Sequence, residues 1–169
     1  MKAAFIVVVA WLLITLETSA LHALPATPLF VVPFALYLGF TREVVRAALL
    51  AGFLGYLEDL LGGGPRGLYI FVAMFLSMLG SVLSTRLFLR GAIFATVLTA
   101  FGSLIAQGVT LGLLAGFYRN FQRTDLLVAD FFPVLLATAL AGAPVFWLAE
   151  KIDGIGQKVQ EEETTILRR

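Results

Sequence analysis

Residues 28–40 read Pro28-Leu-Phe-Val-Val-Pro-Phe-Ala-Leu-Tyr-Leu-Gly-Phe40, and Thr41-Arg-Glu-Val-Val-Arg46 follows at once. The apolar part, Leu29 to Phe40, is twelve residues, which as a helix rises about 18 Å against a hydrocarbon core of about 30 Å. By length alone it is a span or a re-entrant segment. The choice sets the side of every later loop, so charge arbitrates. If the segment crosses, one side carries Lys2, Arg42, Arg46, Arg86, Arg90, Lys151, Lys158, Arg168 and Arg169, and the other carries Arg66, Arg119 and Arg123. Nine against three obeys the positive-inside rule. If it does not cross, the split becomes four inside and eight outside. The expectation is a crossing helix that runs on toward Arg46, or begins near Pro25, or is thinned and buried among its neighbours. Pro33 is expected to kink it.

Five further apolar runs flank this one: Ala3–Leu24, Ala47–Leu61, Leu68–Thr85, Ala92–Phe117 and Leu126–Ala149. The breaks between them hold Pro, Gly or charge. Lys2, the apolar run behind it and Thr18-Ser-Ala20 resemble a signal peptide. A first helix that serves as its own insertion signal is preferred, because further spans follow directly. Of 169 residues, 60% are hydrophobic and 14% charged, against roughly 25% charged in soluble domains. A single small soluble core cannot hide that much apolar surface. The expected fold is therefore an all-α integral membrane protein. A six-helix bundle occupies residues 1–150, and a polar cytoplasmic tail occupies 151–169. Both ends are cytoplasmic, and no nucleic-acid partner is indicated by a net charge of +1.

Chemistry finds few candidates. The chain has no cysteine and one histidine, His22, so thiolate chemistry is excluded and a metal site is not expected. No P-loop, HExxH or Ser-His-Asp set is present, and neither an enzyme nor a cofactor is expected. The adjacent acids Glu58 and Asp59 point about 100° apart on a helix and do not form an acid/base pair by themselves. Ionisable groups within spans are functional candidates. Glu17, Glu58, Arg66 and Asp130 form an expected outer polar cluster, joined by Asp59. This is either a ligand pocket or a set of ion pairs and caps that fix the loops. Asp125 is a candidate N-cap. Gln107 is expected to bond across to a neighbouring helix. Rows of small residues mark where membrane helices meet. Such rows are Gly108, Gly112 and Gly116 in the fifth run; Gly52, Gly55 and nearby alanines in the third; and Ala137 and Ala141 in the sixth. They pack within the bundle or dock a partner or a second copy. On that basis Gly112→Leu is expected to disrupt assembly, and Asp59→Ala to loosen the outer turn.

The stretch Gly52-Phe-Leu-Gly-Tyr-Leu-Glu-Asp-Leu-Leu-Gly-Gly-Gly-Pro-Arg-Gly67 resembles the rod shape-determining MreD family. The matching positions are Gly52, Gly55, Asp59, Leu60, Leu61, Gly63, Pro65 and Gly67. Thr27 to Tyr37 is similar to that family's Pro-led second helix. Leu29 and Arg66 depart from it, where the family often has an acid and an apolar residue. The resemblance implies a non-enzymatic scaffold of the elongation complex in the bacterial inner membrane. It would bind MreC and, through it, act with the filament MreB and the wall synthases to control cell shape and lateral peptidoglycan synthesis. It also implies a fold similar to the substrate-binding subunits of energy-coupling-factor vitamin transporters, and such a subunit is the alternative function. A subunit of that kind meets its partner through small residues on an early helix, for which Ala3, Ala4 and Ala10 are the weak candidates.

Overall fold

The computed structural model describes residues 2–19, 27–62, 66–84, 91–117 and 124–166, with side chains over 8–17, 19, 27–62, 66–84, 91–113 and 131–152. Among the described residues there are six helices and no strand: α1 (Lys2–Ser19), α2 (Val31–Thr41), α3 (Val44–Leu61), α4 (Leu68–Ser84), α5 (Ala92–Phe117) and α6 (Thr124–Ile166). Two of them contain stretches long and apolar enough to cross a membrane, Ala92–Leu113 in α5 and Phe131–Ile152 in α6. Shorter apolar helical segments are Val8–Glu17, Val31–Thr41 and Leu68–Ser84.

The short helix α2 is the centre of the molecule. All residues from Val31 to Gly39 are buried, including Phe34, Leu36 and Leu38. It packs against all five other helices. Eleven residues rise only about 16 Å, so α2 is thinned rather than extended. Arg42 has extended backbone, which separates α2 from α3, and residues 27–29 are not helical. The extensions toward Arg46 and Pro25 are therefore both corrected. A helix without an outward face can be hydrophobic all round, as Val31-Val-Pro-Phe-Ala-Leu-Tyr-Leu-Gly39 is. Pro33 is the third helical residue, where its missing N–H had no intrahelical partner to lose. Pro133 and Pro144 lie deeper within a helix, in α6.

Two ends of the bundle can be told apart. At one end, α2 begins beside the last turn of α1, because the Phe30 N–H donates to Glu17 Oε2 at 3.0 Å. The Leu29 N–H donates to Thr138 Oγ1 of α6 at 3.0 Å. At the other end, Phe40 meets Phe94 at the start of α5 edge-on, at 5.8 Å between centroids. There Ser81, near the end of α4, donates to the Gly39 carbonyl at 3.0 Å. The first is the Glu17 end and the second the Arg46 end. α6 runs on through the polar tail to Ile166, about 65 Å in 43 residues, with no break at Lys151.

The close approaches fall largely on glycines that no row marks. A Cβ on Gly39 would collide with the Ser77 carbonyl of α4, and one on Gly80 would lie 2.9 Å from the Leu36 carbonyl. Gly39 and Gly80 thus let α2 and α4 cross backbone to backbone. Of the expected positions, Gly55 faces the Tyr69 carbonyl and Gly52 faces Met74, both across α3 and α4. In the fifth-helix row nothing among the described residues lies within 4 Å of a Cβ built on Gly108 or Gly112, and both glycines are exposed, which leaves that face to the docking reading rather than to packing among those residues. The side-chain environment of Gly116 lies outside the described residues. The expectation for Gln107 is corrected. Its Nε2 donates to Ser103 Oγ at 3.1 Å, one turn back on the same helix.

Candidate functional site

The polar groups converge at the Glu17 end, and Asp59 organises them. It is the third residue from the end of α3, so it projects toward the turn that leads into α4. Its Oδ2 accepts the N–H groups of Gly67 (2.9 Å) and Ile70 (3.3 Å), and its Oδ1 accepts that of Tyr69 (3.0 Å). Tyr69 and Ile70 are the second and third residues of α4. Their N–H groups are those an N-cap side chain satisfies. Asp59 does this from the preceding helix, and its charge lies at the positive end of α4. Gly67 stands at the cap with φ +92°, a conformation that favours glycine. Gly63 and Pro65 lie outside the described residues.

Glu17 does the same for α2 through Phe30, while Thr138 takes the preceding N–H and itself donates to the Val134 carbonyl at 2.7 Å. Phe30 has no side chain able to cap its own helix, so the cap comes from a distant residue. Glu17, Glu58 and Asp59 are all buried, and Glu17 and Glu58 lie within electrostatic reach of one another. Tyr69 is within reach of all three. Glu58 Oε2 has no hydrogen-bond partner among the described residues.

The expected outer cluster is therefore brought together in part. Glu17 and Glu58 converge, whereas Arg66 is exposed on the turn. Arg66 does not answer Asp59, whose partners are backbone N–H groups. A guanidinium at the tip of a turn stays in water because burying it would cost its hydration. The Asp130 side chain lies outside the described residues. Asp125 is the second residue of α6 rather than its cap, because the helix begins at Thr124. Among the described residues, no three His, Asp or Glu groups converge as a metal site. Sequence reasoning missed Thr138. A lone threonine in an apolar run gives no signal, because its hydroxyl usually bonds back to its own helix.

Comparison with protein-family models, with curated proteins and with solved structures returns no match.

Proposed function

We propose that the chain is a six-span membrane scaffold without catalytic activity, of the kind the MreD family represents. The membrane reading is supported by which surfaces are apolar. Only 33% of the apolar stretch in α5 and 28% of that in α6 is buried. An apolar helix in a soluble core is mostly buried; these turn most of their surface outward. The exposed residues include Ile93, Leu140, Phe132 and Val45, each at least 70% accessible. That surface suits hydrocarbon. Six crossings are supported because α1 and α3 end on the same side: Glu17 and Glu58 lie within electrostatic reach of one another, α1 packs against α3, and α2 runs back between these ends from the Phe30 N–H held by Glu17. The Glu17 end is then the outer end, and the more basic Arg46 end faces the cytoplasm.

The observation that carries the scaffold reading is the Asp59 cap. Asp59 and Gly67 both lie in the stretch that resembles MreD, and Asp59 ties Gly67 and the first turn of α4 to the end of α3. MreC is the proposed partner. Extraction of the tagged protein from its native membrane in mild detergent tests this. A co-eluting periplasmic protein with one membrane helix is expected, and Asp59→Ala should reduce its recovery several-fold. Elution alone under those conditions would contradict the scaffold.

The alternative, a transporter substrate-binding subunit, draws on the buried acids at the outer end. It is weakened at its coupling surface. Ala10 is buried in the bundle and presents nothing to a partner, while the side chains of Ala3 and Ala4 lie outside the described residues.

A further inference from the structure

Three buried carboxylates share the Glu17 end, and two of them are answered. Asp59 receives three N–H groups at the start of α4. Glu17 receives the Phe30 N–H at the start of α2. Each therefore faces the positive end of a helix. Glu58 Oε2 has neither kind of partner among the described residues. Glu58 is 3% exposed, and its near neighbours Glu17 and Asp59 are also acids. Apolar surroundings do not tolerate such a group without a counter-charge.

We propose that Glu58, with Glu17 beside it, is a proton-binding site that exchanges with the outer aqueous phase. Among the described residues no three His, Asp or Glu groups are arranged to hold a metal ion, so a proton is the favoured occupant. A proton is the one cation that a single carboxylate oxygen can hold without further ligands. Hydronium delivers it to Glu58 Oε2 and departs as water, and the reverse step returns it, so no co-reactant is needed. The route is short. Exposed Gly62 lies directly over the site, and a Cβ there would sit 3.6 Å from Glu58 Oε1. Among the described residues, the other titratable groups facing the pair are Asp59 of α3 and Tyr69 of α4. The start of α2 brings the Phe30 N–H; α2 contains no carboxylate or base, and its one tyrosine, Tyr37, packs edge-on against Phe146 of α6, while Glu150 and Lys151 of α6 lie near the Arg46 end. The proposal depends on the six-span orientation only for which aqueous phase supplies the proton.

Infrared spectroscopy of the purified full-length protein in lipid bilayers tests it without reference to any scaffold partner. Wild type should show a carboxylic-acid carbonyl band that shifts in D₂O and does not change when sodium is replaced by choline. Glu58→Gln should abolish that band, and Glu17→Gln should displace it. If Glu58→Gln does not fold, Glu58→Asp should retain a band at a changed frequency. A wild-type spectrum without the band across the physiological pH range would overturn the proposal. So would a band unchanged in Glu58→Asp or Glu58→Gln, or one that disappears when sodium is added.

Discussion

Asp59→Ala is expected to lower the stability of the bundle by about 3 kcal/mol, a large loss for one surface-proximal side chain. The substitution removes both acceptor oxygens from three N–H groups, of which those of Tyr69 and Ile70 lie in the first turn of α4. A charged acceptor bonded to N–H groups contributes about 1.5–3 kcal/mol each, and water recovers part of it at the exposed Gly67. Asp59→Asn retains one acceptor and should cost about 1 kcal/mol. Thermal unfolding in detergent reads the difference, and proteolysis within the 62–67 turn should accelerate in the alanine variant first. Wild-type unfolding combined with lost partner binding would instead make Asp59 a recognition residue.

Gly55→Leu is expected to prevent assembly of the bundle, while Gly112→Leu leaves it within about 0.5 kcal/mol of wild type. A Cβ on Gly55 would run into the Tyr69 carbonyl and lie 2.8 Å from Ile70 Cα. Both belong to backbone, which cannot turn aside as a flexible side chain can. A Cβ on Gly112 meets nothing within 4 Å, and leucine is the better helix former. This reverses what glycine spacing alone suggests for α5. Expression level and size-exclusion profile distinguish the two variants. A Gly112→Leu protein as damaged as Gly55→Leu would mean that another chain covers that face.

Much of the layout is legible in the sequence, because hydropathy and charge act locally. The fifth run, Ala92 to Phe117, is the helix as it stands. The third begins three residues earlier than its apolar stretch, since Val44, Val45 and Arg46 do not oppose a helix. The sixth continues past Lys151, because charge marks the end of a span but does not stop a helix. The outer turn is legible through Asp59 and Gly67, which lie eight residues apart and act on each other. What joins distant residues is not legible. Nothing local indicates that Glu17 caps α2, that Thr138 reaches Leu29, or that Gly39 meets Gly80. A four-residue row of glycines defines a helix face but not whether anything lies against it. Hence Gly108 and Gly112 mark no contact among the described residues, while Gly39, outside any row, marks a crossing.

If α2 crosses the membrane as proposed, the 42–46 turn lies in the cytoplasm and the 62–67 turn, at the other end of α3, lies outside; if α2 does not cross, the two exchange sides. The chain contains no cysteine, so single substitutions can be labelled without background. Glu43→Cys and Arg66→Cys both place a thiol at an exposed position. With a membrane-impermeant maleimide on intact cells, Arg66→Cys should label at once and Glu43→Cys only after the membrane is permeabilised. The reverse pattern, with Glu43→Cys labelled on intact cells and Arg66→Cys only after permeabilisation, would contradict the crossing of α2, and labelling of both from the same side would contradict the six-span bundle.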